Sequence, residues 1–203
     1  SNTPVILELR IRACHVTGSF ETKDNIVPKF SRRNPITKPV FNLERIPLPP
    51  HNYTQEKLKI DVRLPEALKF IQREQLNEFF PGDLRQVGII LQGGMYNTTI
   101  RALQQLGLAG PYGASRIPLY VLNVTYPLVP GQIADFCSSK RAVIVVEEGS
   151  PEYIEHEILA TLARRGVGTT VHGKDLLPAT GEYNVEVLAG GLATLPLREA
   201  REL

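Results

Sequence analysis

The sequence predicts an α/β fold of three layers, helices on either side of a mostly parallel sheet, and three observations carry that prediction. Val87–Leu91 and Ala142–Val146 are short, nearly continuous apolar runs of the kind buried on both faces of a parallel sheet. Each is followed at once by turn residues, Gly93-Gly94 and Gly149-Ser150-Pro151. After each turn the apolar residues resume at helical spacing, Ile100, Leu103 and Leu106 in one case and Ile154, Ile158 and Leu162 in the other.

The elements follow in order. Pro4–Val16 alternates around Ile6, Leu7, Leu9, Ile11 and Val16 and is read as a strand entered without a preceding turn. Its abrupt start, and a leading Ser-Asn that resembles a cleaved-tag scar, suggest a piece of a longer protein. Asn25–Pro65 carries prolines at 28, 35, 39, 47, 49, 50 and 65 and is read as a linker, with a brief strand over Leu58–Leu64. Lys29, Arg32, Arg33 and Lys38 within it are a solvated loop face or a phosphate grip.

Pro65 opens an amphipathic helix through Leu68, Ile71, Leu76 and Phe79, ended by Phe80-Pro81-Gly82-Asp83. The strand Val87–Leu91 comes next, then a helix capped by Asn97 or Thr98 and closed by Gly107. A second strand covers Pro118–Asn123, and Gly131–Ser139 forms a short helix. The third strand, Ala142–Val146, leads to a helix capped by Ser150 and closed at Arg164-Arg165-Gly166. Gly168–His172 is the fourth strand, and the tail from Asn184 is helical. Right-handed crossovers place Val87–Leu91 between the second and third strands, all four parallel.

The totals exclude several classes. In 203 residues the formal net charge is +2, with acids and bases interspersed, so no basic face for nucleic acid is evident. No apolar run approaches the ~20 residues of a membrane span, and a cytoplasmic protein is expected. Cys14 and Cys137 are too few for a four-cysteine cluster and read as reduced. His15, His51, His156 and His172 lack metal-ligand spacing, so no metal site is expected.

The switch-point rule gathers the candidate site at the carboxyl ends of the central strands: Gly93, Gly94, Tyr126, Pro127, Glu147 and Glu148. Gly93-Gly94 matches neither a dinucleotide fingerprint nor a lysine-bearing phosphate loop, which leaves close strand–helix packing as its simplest role. Glu147 and Glu148 are neighbours on an extended chain and point in opposite directions. They cannot share a proton, and one of them is expected to bond backbone amides or a partner domain.

Four phrases carry a resemblance: Gln92-Gly93-Gly94-Met95-Tyr96-Asn97, Leu122-Asn123-Val124-Thr125-Tyr126-Pro127-Leu128, Val145-Val146-Glu147-Glu148-Gly149 and His172-Gly173-Lys174-Asp175-Leu176-Leu177-Pro178. Together they resemble the long single-chain bacterial indolepyruvate ferredoxin oxidoreductases, strongly over residues 86–188 and more weakly over 4–19. That resemblance implies an enzyme using thiamine diphosphate with magnesium to decarboxylate an aryl 2-oxoacid oxidatively to its acyl-coenzyme A. It also implies 4Fe-4S clusters passing electrons to ferredoxin, coenzyme A as a substrate, and a homo-oligomer assembled with the other domains of the same enzyme.

By the same resemblance, residues 1–24 end a pyrimidine-binding domain, where Arg12 and His15 are possible remnant cofactor contacts. Residues 25–83 are the linker and amphipathic helix, and 84–203 are a transketolase C-terminal-like domain with a mainly structural role. The diphosphate–magnesium motif, Gly-Asp-Gly followed by Asn, is not found, and neither is a cysteine cluster. The piece itself is therefore expected to bind no cofactor and to be inactive alone. Two alternatives stand beside this reading: a stand-alone protein-interaction module, and a flavodoxin-like small-ligand binder.

Overall fold

The computed structural model describes residues 6–8, 17–19, 21, 46 and 48–200, with side chains to Thr194. Of the expected N-terminal strand, Ile6, Leu7 and Glu8 carry no strand and leave Ile6 and Leu7 exposed; its remainder, with Arg12, Cys14 and His15, and the linker's four basic residues fall outside the described residues. The chain divides into two compact units, Ser1–Leu43 and Glu44–Leu203, and the sheet with its helices belongs to the second.

The sheet has five strands: β1 Glu78–Phe80, β2 Val87–Gln92, β3 Leu119–Leu122, β4 Ala142–Val146 and β5 Thr170–His172. Their spatial order is β1-β3-β2-β4-β5. The four strands β2 to β5 are parallel, and β1 joins the β3 edge antiparallel. Ile89 is in register with Leu119 on one side and Ile144 on the other, so β2 lies between β3 and β4 as the crossover rule requires.

Helices cover both faces. On one face, α3 (Tyr96–Gln105) and α6 (Val185–Ala200) bury Ile89, Leu91, Leu119, Val121, Ile144 and Val146. On the other, α4 (Pro130–Cys137) and α5 (Tyr153–Arg165) bury Ile90, Tyr120, Leu122, Val143 and Val145. Alternate residues of the same strand feed opposite cores, which is why the strands read as unbroken apolar runs. The α/β class and the three layers are therefore as the sequence predicts. Gly107 and Gly166 end α3 and α5 in the left-handed conformation, at φ 70° and 66°. The amides after them close onto Leu103 and Leu162, as helix-ending glycines allow.

Several local expectations are overturned. Leu58–Leu64 is not a strand: α1 (His51–Leu58) runs through a π-helical turn, Lys59–Arg63, directly into α2 (Leu64–Arg73). The widened turn comes just before Pro65, whose ring would crowd a carbonyl in a regular helix and whose nitrogen offers no hydrogen bond. The amphipathic helix stops at Arg73, and Glu78–Phe80 is the strand β1 instead of the helix's end. Phe79 stacks on Tyr120 across the β1–β3 pair, with ring centroids 4.4 Å apart and planes 2° apart. Asn97 and Thr98 lie inside α3 and do not cap it, because a 3-10 turn over Gly93–Met95 precedes the helix. Ser150 does not cap α5 either.

Candidate functional site

The carboxyl ends of β2, β3 and β4 meet at Gln92, Leu122 and Val146, where the crossovers diverge to opposite sides. Gly93 leaves β2 beside Asn123: a Cβ there would lie 2.4 Å from the Asn123 side-chain oxygen. A side chain at 93 would have to displace that oxygen, so the glycine eases the close passage of the two strand exits, while Gly94 has open space around its α-carbon.

Glu147 is 6% exposed, and both of its carboxylate oxygens accept the Ile154 amide at 3.1 Å. One oxygen also accepts the Glu155 amide at 3.2 Å. A buried carboxylate thus sits on the first turn of α5, satisfying donors that no earlier turn can satisfy and opposing the positive end of the helix dipole. This is the cap that Ser150 does not provide.

Glu148 points elsewhere. Its amide donates to the Gln92 side-chain oxygen at 3.1 Å, and its carboxylate accepts the Tyr183 amide at 2.9 Å. Neighbouring carboxylates on an extended chain have opposite directions and separate partners here.

Lys174, from the phrase after β5, closes the arrangement. Its ammonium donates to the backbone carbonyl of Glu147 and, at 2.7 Å, to the Tyr183 hydroxyl. That hydroxyl donates to the Pro178 carbonyl at 2.6 Å, and Tyr183 is 1% exposed. The Lys174 amide donates to Glu155 at 3.0 Å, which ties the loop to α5. Asp175 accepts the Gly173 amide and holds His172 Nδ1, both at 2.8 Å. Burial pushes the Asp175 carboxyl up, but the Gly173 amide and His172 outweigh it and hold the group below its ordinary range.

On the other side of the crevice, buried Asn77 donates to the Tyr120 hydroxyl at 3.2 Å and accepts the Val124 amide at 3.0 Å. The Tyr120 hydroxyl donates to Gln132 at 3.0 Å. Burial pushes the Tyr120 phenol up to about 12 and the Cys137 thiol up to about 11.

A groove of about 700 Å³ opens beside these ends. Tyr126, Pro127 and Glu147 line it, joined by Leu64 and Leu68 of α2 and by Gln92, Leu128, Pro130, Tyr153 and Glu157. Gly93, Gly94 and Glu148 of the expected set lie outside its lining. Sequence reasoning missed Gln92, Lys174 and Tyr183. Lys174 stands in a quoted phrase, but nothing in the spacing shows that its ammonium turns inward.

The thiamine diphosphate, magnesium and iron–sulfur groups that the resemblance implies do not fit the described residues. No three His, Cys, Asp or Glu side chains among them are grouped as metal ligands. Cys137 is fully buried with its thiol pushed up, and Glu147, Glu148 and Lys174 are committed to bonds within the fold. Among the described residues, no helix is long and apolar enough to cross a membrane.

No family model matches the chain. Over 199 residues it is 29% identical to indolepyruvate oxidoreductase subunit IorA of Methanothermobacter thermautotrophicus, a match covering 95% of this chain and 29% of that protein. The subunit of the same name from Archaeoglobus fulgidus is 30% identical over 207 residues, covering 98% of this chain and 30% of the relative. The chain thus spans about 30% of the length of the curated relatives it matches, and the resemblance read from its four phrases extends over nearly all of it. Among solved structures, a 2-oxoglutarate:ferredoxin oxidoreductase from Magnetococcus marinus aligns with a TM-score of 0.50. That alignment has 16% identity and covers 72% of this chain and 23% of the other, a likeness of fold.

Proposed function

We propose that this chain is the transketolase C-terminal-like segment of a thiamine diphosphate-dependent indolepyruvate ferredoxin oxidoreductase, and that its own role is structural. The whole enzyme would decarboxylate an aryl 2-oxoacid oxidatively, form the acyl-coenzyme A and pass electrons through iron–sulfur clusters to ferredoxin. The observation that carries this reading is the match to two indolepyruvate oxidoreductase subunits over at least 95% of the chain.

The geometry of the crevice supports the structural half. Glu147 caps α5, Glu148 holds Tyr183 and Lys174 bonds a main-chain carbonyl. These three groups, each able to serve as acid, base or phosphate grip, are committed to the fold. The segment would then act by presenting a rigid surface to the domains that hold the cofactors.

The test is turnover by a parent-length protein that contains this sequence, reconstituted with thiamine diphosphate, magnesium and iron. Indolepyruvate-dependent, coenzyme A-dependent reduction of ferredoxin or a viologen dye is expected. Failure to reduce either acceptor with any aryl 2-oxoacid would overturn the assignment.

A further inference from the structure

The helical run from His51 to Arg73 is lightly attached. Along it only Ile71 is buried, and Tyr53, Leu58, Ile60, Val62 and Phe70 are exposed. Elsewhere α3 packs along α6 and α4 along α5, but the run packs along none of these helices. Little apolar burial and few neighbours mark a segment that opens at low cost in free energy.

The chain leaves the run through a left-handed residue. Gln75, between α2 and β1, has φ 49° and is the one residue other than glycine with positive φ among the described residues. Its amide and that of Leu76 donate back to the Gln72 and Ile71 carbonyls at 3.2 and 3.1 Å. Gly107 and Gly166 make the same closure after α3 and α5, with no β-carbon to crowd the next carbonyl. Gln75 has that β-carbon, and it lacks the short polar side chain that lets Asn or Asp rest there.

The hydrogen bonds change hands at the same point. The Leu76 amide bonds the run, but its carbonyl accepts the Asn123 side-chain amide at 2.9 Å. Asn77 is buried and fixed to Tyr120 and Val124. Residues before Gln75 thus belong to the run and residues after it to the sheet.

We propose that α1 and α2 form a lid hinged at Gln75, whose left-handed strain keeps the closed position close in free energy to an open one. The strain of one such residue is of the same order as the burial of Ile71 that opposes it. Closed, the lid sets Leu64 and Leu68 in the wall of the groove beside the strand ends. Open, it removes that wall. Strain held at a joint between two otherwise satisfied segments is how a fold makes a position easy to leave. The device belongs to the geometry of this chain and stands apart from the catalytic assignment.

The experiment uses the 203-residue chain with Cys14→Ser and nitroxide labels at Tyr53→Cys, in α1, and Tyr112→Cys, on the exposed turn between α3 and β3. Cys137 is buried and stays unlabelled. Pulsed electron–electron distance measurement is expected to show two populations. Gln75→Gly takes the strain out of the closed position and should deplete the open population about fivefold. Gln75→Val, with a branched β-carbon, should enrich it by a similar factor. Gln75→Asn, which tolerates left-handed backbone, should move in the glycine direction and serves if either other variant fails to fold. A single distance in every protein, or any order of open fraction other than Val above wild type above Gly and Asn, would overturn the proposal.

Discussion

Glu147 and Ile154 stand seven residues apart, yet both carboxylate oxygens of the first receive the amide hydrogen of the second at 3.1 Å. The contact fastens the end of β4 to the start of α5 through a side chain that is 6% exposed. Glu147→Gln keeps one acceptor and loses the charge that opposes the helix dipole, so a loss of about 1–2 kcal/mol is expected. Urea unfolding followed by circular dichroism measures it. An unchanged midpoint would show that the carboxylate does not stabilise the turn.

Lys174 and Tyr183 should behave as a coupled pair. Lys174→Met leaves the Glu147 carbonyl without this donor, and Tyr183→Phe does the same to Pro178. Because the lysine also donates to the tyrosine hydroxyl, a double-mutant cycle should give a coupling of roughly 0.5–3 kcal/mol. Strictly additive losses would mean that the two side chains act independently.

Tyr120→Phe removes the bridge between Asn77 and Gln132. The cost of leaving a buried amide without its partner is about 1–3 kcal/mol. The wild-type phenol is neutral in the fold, with its folded value raised to about 12 from 10.0, so its contribution is present below pH 10 and is lost as pH rises towards 12. The Phe variant should therefore lose less stability than wild type between those limits in alkaline denaturation scans.

Asp175 gives the opposite slope. Its folded value lies below the ordinary 3.8, so its contribution is present above that pH and is lost as pH falls below it. Asp175→Asn should flatten the acid limb of a stability–pH curve and leave the neutral region of that curve unbent. An acid limb as steep as the wild type's would rule this group out as a source of it.

Calorimetry with thiamine diphosphate and magnesium is expected to give no low-micromolar binding to this chain. A hard cation holding a diphosphate wants several oxygen ligands, and the described acids at the crevice are already bonded within the fold. A dissociation constant near 1 μM, about −8 kcal/mol, would reveal a cofactor site.

The parallel core was legible because each strand is apolar on both faces and each is followed by a turn and a helical stripe. Ile89 beside Leu119 and Ile144 is what those patterns require. The opposite directions of Glu147 and Glu148 also follow from local geometry alone. β1 was not legible. Leu76, Phe79 and Phe80 continue the helical stripe of Leu68 and Ile71, and only pairing with β3, some forty residues on, makes Glu78–Phe80 extended. The π turn before Pro65 was hidden for the converse reason, since proline-rich composition argues against helix while the chain accommodates the ring by widening one turn. The α5 cap was misread as Ser150 because a residue just before a helix is the usual cap, and a carboxylate arriving from the preceding strand leaves no mark at that position.

The three-residue pairing of β1 with β3 has a mechanical consequence. The helical run from His51 to Arg73, roughly 30–35 Å long, buries Ile71 alone and meets the sheet through β1. Phe79 on Tyr120, and the Asn123 amide on Leu76 and Glu78, are the pins of that joint. Among the described residues the run's one buried side chain, Ile71, lies near this joint, so a small slip there would become a larger sweep at the far tip. Slippage of β1 by one residue would reverse the faces of Phe79 and Phe80 and carry Leu64 and Leu68 away from the groove they wall. The width of that groove would then follow the register of the sheet's edge strand.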